Sequence, residues 1–275
     1  MIRANRVGWR AHAALTKTGG RATVVARLTD SLYADAAGAL VWLGRMSAPI
    51  HSRAIQVGVP PDCAAGSRVS VDVTTLAPWR PTLARLAPDA AVKRARRLRR
   101  GLATLGAPRG LACLLCADAV PTLVAVRAAP HVRALVAAVA TAEHCSARHH
   151  ASALLGLGDG LTPDGDDYLG GLLFARFVCE RRDASWDADI AEILAEATAR
   201  THPISACLLE DLARGEGWEP LYEIAHADDA VAIGAARALT TIGAATGWNV
   251  LAGFITGLAA WTASHGVLDE GALPR

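Results

Sequence analysis

The spacing of apolar residues along this chain changes once, near Pro81, and that change limits the folds open to it. Before it, residues 1–78 break into short extended pieces at 22–28, 39–43, 55–59 and 68–73, separated by Gly-Gly, Ala-Gly, Pro-Pro and Ala-Gly punctuation. Such spacing predicts a β-rich lobe. From residue 81 to 105 the pattern turns helical and carries Lys93, Arg94, Arg96, Arg97, Arg99 and Arg100, read as a basic helix linking two lobes. Beyond Arg109 two apolar runs, 111–115 and 122–126, read as a pair of strands. Helical spacing then fills 131–155, with Leu135, Val136 and Val139 on one face, and continues through 168–181, 187–200, 204–213, 228–242 and 250–264. The expected architecture is α+β: a β-rich N-terminal lobe over 1–108 that includes the basic helix, then a mainly helical lobe over 109–275. No fixed-period repeat is present, which excludes a solenoid.

With 275 residues, the chain can bury about three quarters of its unfolded surface, so it needs no staples. Its six cysteines are expected to be thiols in a reducing compartment rather than a disulfide scaffold. A formal charge of +2 supplies no field that would demand nucleic acid or an anionic membrane as partner. The first twenty residues have no apolar core ahead of a small-residue cleavage site, and the apolar windows 111–126 and 250–263 are interrupted or short. A cytoplasmic protein without a signal or a membrane span is therefore expected.

The stretch GLGDGLTPDGDD, residues 156–167, is the candidate working site. Gly156, Gly158 and Gly160 allow positive φ and close approach of a ligand to the backbone, and Gly165 repeats that freedom just before a helix. A helix N-terminus attracts anions through its free amides and dipole. Thr162 is placed to orient a bound group. Asp159, Asp164, Asp166 and Asp167 would repel a bare anion unless basic groups or a hard cation balance them. Asp164, Asp166 and Asp167 are thus candidate ligands for Mg²⁺ or Mn²⁺, and Asp166, Asp167 and Thr162 are the candidate catalytic residues. The bland alternative is one capping aspartate with the rest facing water.

Two further loop-to-helix junctions add candidates. One contributes Thr246, Gly247 and Asn249, with Gly253 and Gly257 suited to tight helix packing behind it. The other contributes Thr201 and Ser205 as substrate-binding hydroxyls, with His202 as a candidate base or a plain connector. His144, Cys145, His149 and His150 invite a zinc site, but only Cys145 and His149 share a helix face. Cys113 and Cys116 have redox spacing inside an apolar run, where buried thiols are expected.

Three ordered blocks, GLGDGLTPDGDDYLGG, THPISACLLEDLARGE and IGAATGWNVLAGFITGL, resemble the AllH-like family, whose namesake is described as a subunit of oxamate carbamoyltransferase. The resemblance covers roughly residues 110–260 and is looser around Ser31-Leu32-Tyr33 and His51-Ser52-Arg53. It implies carbamoyl transfer between phosphate and an amide nitrogen, oxalurate plus phosphate giving oxamate and carbamoyl phosphate, in a complex with other subunits. The family signature maps onto Gly156, Gly158, Gly160, Leu161, Thr162, Pro163, Gly165, Asp166 and Asp167. Three positions depart from it: Asp159 stands where Pro is common, Asp164 where Ser is common, and Asn249 where an acidic residue is usual. Two other readings compete: a metal-dependent hydrolase using the aspartates, and a non-catalytic anion-binding subunit of a multienzyme complex.

Overall fold

A computed structural model describes residues 1–83, 85–179 and 184–263. The chain divides into two compact units, the first made of Met1–Thr82 with Gly217–Glu219, the second of the remaining described residues from Leu83 onward.

The first unit is a closed six-stranded barrel with one helix. Its elements are β1 (Ile2–Val7), α1 (Trp9–Thr18), β2 (Arg21–Arg27), β3 (Ser31–Ala36), β4 (Ala39–Arg45), β5 (Ala54–Val57) and β6 (Arg68–Asp72), in the order β1-β5-β4-β3-β2-β6. Closure comes from β6 pairing parallel to β1 and antiparallel to β2, which leaves no open sheet edge. Inward residues such as Val24, Leu32, Val41, Leu43, Ile55 and Val71 fill the interior. Between β3 and β4 the two-residue turn Ala37-Gly38 has φ of 54° and 84°, the hairpin geometry whose twist matches the flanking strands. The four predicted strands correspond to β2, β4, β5 and β6. Missing from the sequence reading were β1 and β3, whose polar residues dilute the apolar signal, and α1, which buries only Ala11, Ala14 and Leu15. His51, Ser52 and Arg53 are buried in the β4–β5 connection. The His51 ring lies between Trp42 and Trp218 at centroid distances of 5.8 and 5.6 Å. Burial, helped by Arg53, pushes its pKa down to about 3.

The second unit contains α2 (Pro88–Leu105), a 3₁₀ turn (Gly110–Leu115), α3 (Leu123–Thr141), α4 (His144–Leu154), α5 (Asp164–Val178), α6 (Ala184–Arg200), α7 (Pro203–Ala213), α8 (Glu219–His226) apart from its first residue, α9 (Asp229–Leu239) and α10 (Thr246–Ala263). At its centre α5 and α10 are buried on almost every face, as expected of helices that are apolar all round. Their backbones approach so closely that a Cβ at Gly253 would sit 1.9 Å from the Tyr168 carbonyl oxygen. Behind that contact the Tyr168 hydroxyl meets the Thr256 hydroxyl at 2.7 Å, and the Trp261 indole donates to the Leu172 carbonyl.

Several expectations change here. The runs 111–115 and 122–126 are not paired strands but the 3₁₀ turn and the first turn of α3, because runs of five apolar residues carry too little periodicity to separate strand from helix. The expected helix 131–155 is two helices, broken at Ala142, which takes a left-handed φ of 58°. The basic helix is not a linker: α2 packs Ala91, Val92, Ala95, Leu98, Leu102 and Leu105 into the second unit, and Arg97 pairs with Asp229. The expected helix ends at Arg181 and Ser264 lie outside the described residues. One described helix, α3, is long and apolar enough to cross a membrane by length and composition, and half of that window is buried in the protein.

Candidate functional site

The glycine-rich loop joins α4 to α5, and three short-range devices shape it. Gly156, Gly158 and Gly160 have φ of 72°, 126° and 93°, the left-handed region that side chains resist. The Gly165 amide donates to the Leu157 carbonyl at 2.9 Å. A Cβ at Gly165 would fall 2.0 Å from the Leu154 carbonyl oxygen, so no larger residue fits the first turn of α5.

Asp166 holds this loop to the α6–α7 junction. Its Oδ1 accepts the Gly156 amide at 2.8 Å, and its Oδ2 accepts the hydroxyls of Ser205 (2.7 Å) and Thr201. Three donors on one buried carboxylate offset its desolvation. Asp166, expected to be catalytic or a metal ligand, thereby organises the loop, and Thr201 and Ser205, expected to touch substrate, are its hydrogen-bond partners. Gly247 likewise has a packing reason, since a Cβ there would lie 1.8 Å from the Leu239 carbonyl oxygen. His202 caps α7 by accepting the Ile204 amide at its Nδ1.

Asp167, one residue on, faces the N-terminus of α10. Thr246 and Asn249 hydrogen-bond to it, while its Oδ2 is buried with no partner. Burial holds its pKa well above the usual carboxylate range. The nearby Asp166 and Asp164 push the same way, and the hydrogen bonds only partly oppose them. Burial also raises Asp164, against the hydrogen bond from Asn249. The Thr162 and Thr246 hydroxyls meet at 2.9 Å, which brings the end of the loop to the start of α10.

Fully buried Asn249 bridges these parts. Its Oδ1 accepts the Leu111 amide from the 3₁₀ turn at 2.7 Å, and its Nδ2 donates to Asp164 Oδ1 at 2.8 Å. The two positions where the resemblance leads to an expectation of serine (164) and an acidic residue (249) are thus in contact. Here Asp164 accepts and Asn249 donates, the reverse of the polarity that the expected pair would have, and the pair holds one carboxylate. The 3₁₀ turn was absent from the sequence-derived site, because its link to Asn249 spans 138 residues and leaves no local pattern.

The expected metal set does not assemble: among the described residues no three His, Cys, Asp or Glu side chains converge as ligands. Of the histidines weighed for zinc, His150 meets His131, Nδ1 to Nδ1 at 3.2 Å, and His144 meets Asp189. Cys113 is buried in the 3₁₀ turn with its thiol pKa raised by burial. No curated protein and no solved structure matches the chain. Residues 154–258 match the family of oxamate carbamoyltransferase subunit AllH, and this stretch, from the last turn of α4 into α10, holds the whole Asp166 clamp together with Thr162, Asp164, Asp167, Thr246 and Asn249.

Proposed function

We propose that the chain is a subunit of a carbamoyltransferase-type enzyme acting on small anionic substrates of the oxamate, oxalurate and carbamoyl phosphate class. The observation that carries this reading is Asp167, a buried carboxyl with one unpartnered oxygen where the N-termini of α5 and α10 meet. Four aspartates in one loop would be expected to repel an anion. That objection weakens residue by residue: the Asp166 oxygens are turned to three internal donors, Asp167 is pushed toward its neutral form, and Asp164 receives the Asn249 amide. A neutral Asp167 donates a hydrogen bond to an anion instead of opposing it. Helix N-termini and the Thr162–Thr246 hydroxyl pair supply further donors for phosphate or carboxylate oxygens.

In the transfer, a phosphate oxygen forms a bond to the carbamoyl carbon of oxalurate and gives up its proton. The bond from that carbon to the amide nitrogen breaks, and the nitrogen gains a proton, leaving oxamate and carbamoyl phosphate. Asp167 in its neutral form is the donor to the departing nitrogen. The family name is that of a subunit, which supports action within a complex. The test combines the purified chain with candidate partner subunits, oxalurate and phosphate, and measures carbamoyl phosphate. Activity in one combination that falls about 100-fold with Asp167→Asn supports the role. No product in any combination rejects it.

A further inference from the structure

At the end of α4 away from the glycine loop, His144 sits between two side chains of α6. Its Nδ1 lies 2.5 Å from Asp189 Oδ2, and its Nε2 lies 3.4 Å from Ser185 Oγ. A carboxylate only accepts hydrogen bonds, so Nδ1 carries a proton toward Asp189, and in the tautomer that protonates Nδ1 alone Nε2 is the acceptor facing the serine hydroxyl. The order of contacts, carboxylate to Nδ1 and hydroxyl to Nε2, is that of a serine nucleophile with its base and the group that orients the base. From this geometry we infer that Ser185, His144 and Asp189 form a second catalytic centre, one that hydrolyses small acyl esters through an acyl-serine.

Packing fits that role. The His144 ring lies on Trp186 at a centroid distance of 4.2 Å, and Trp186 rests edge-on against Trp261, so the imidazole has a rigid backing. Asp189 is buried, with Arg148 3.8 Å from its second oxygen. Ser185 is exposed, so an ester can reach it. It stands in the first turn of α6, where helix amides lack carbonyl partners within the helix and can stabilise a developing oxyanion. A purely structural account covers part of this. His144, Arg148 and Ser152 on α4 pair with Asp189, Glu192 and Glu196 on α6 as a ladder between the helices. The contact between Ser185 Oγ and His144 Nε2 stands outside that ladder.

In the reaction, Ser185 Oγ forms a bond to the ester carbonyl carbon while its proton passes to His144 Nε2. The tetrahedral adduct collapses, the carbon–alkoxide bond breaks, and the alkoxide leaves with that proton. Water, deprotonated by the same nitrogen, then attacks the acyl carbon; the bond from that carbon to Ser185 Oγ breaks, Oγ takes the proton back from Nε2, and the acid is released. Ser185 and His144 are the catalytic residues, and Asp189 is a positioning residue.

The full-length chain is incubated with a fluorophosphonate probe and, separately, with p-nitrophenyl acetate. The expected results are a covalent adduct mapped by mass spectrometry to Ser185 and ester turnover that falls about 100-fold in Ser185→Ala. That variant changes an exposed residue and should melt with the wild type. Asp189→Asn should lower kcat with little change in KM, which loss of a helix contact alone would not do. No adduct, an adduct on another residue such as the exposed Cys145, or unchanged turnover in Ser185→Ala overturns the assignment.

Discussion

If Asp164 and Asn249 have exchanged donor and acceptor roles, changing them together should be far milder than the more damaging single change. Asn249→Asp removes the Nδ2 donor from Asp164 and from Asp167 and puts a new carboxylate oxygen where the amide stood 2.8 Å from Asp164 Oδ1. A hydrogen bond to a charged group contributes about 1.5–3 kcal/mol, and the one to Asp164 is lost; the interaction with Asp167, whose carboxyl is pushed toward its neutral form, contributes about 1 kcal/mol more. Uptake of a proton by one of the crowded carboxyls recovers part of that. The net penalty should be about 3 kcal/mol. Asp164→Ser alone removes one acceptor while Asn249 keeps Leu111 and Asp167, at a cost of about 1 kcal/mol. In the double variant the new hydroxyl donates to the new carboxylate, so the total should stay near about 1 kcal/mol, a coupling of about 2–3 kcal/mol, within the range for residues in contact. Urea unfolding of all four proteins at neutral pH, followed by circular dichroism of the helical unit, measures the cycle. Additive penalties within about 0.5 kcal/mol would refute the exchange.

Asp166→Ala should destabilise the helical unit by about 3–5 kcal/mol, because it leaves the Gly156 amide and two hydroxyls without their acceptor; an unfolding midpoint near the wild type's would show that the clamp is dispensable. The folded-state pKa of Asp167 is raised, so the native state holds the proton more tightly. Stability conferred by the protonated form is therefore present at low pH and lost as pH rises from the usual carboxylate range through the folded pKa. Asp167→Asn should flatten that fall, and an unchanged profile of melting temperature against pH would contradict it. His51 behaves oppositely: its folded pKa of about 3 lies below the ordinary histidine value of 6.5, so stability is lost as pH falls from 6.5 toward 3. By pH 4.5 the cost is about 3 kcal/mol, and His51→Phe should remove this acid sensitivity from the barrel's unfolding curve. Gly253→Ala drives a methyl into the Tyr168 carbonyl and should cost about 3 kcal/mol; a wild-type melting curve would mean that α5 and α10 part easily.

Local chemistry made much of this protein legible before any coordinates. The division into a β-rich and a helical part follows from a change of period near Pro81, and period is a property of neighbouring residues. The glycine loop and its aspartates were visible for the same reason: positive φ and a helix start have short signatures, and all three loop glycines take the conformations that only glycine adopts freely. Tertiary structure decided what each polar group does. Asp166 and Asp167 are adjacent and chemically identical, yet one is saturated by donors from 10, 35 and 39 residues away and the other keeps an unpartnered oxygen. Likewise Asn249 acquires its meaning from Asp164, 85 positions earlier, and from Leu111, 138 earlier. A hydrogen bond depends on distance in space, and no local pattern encodes that distance once the partners are separated by several helices.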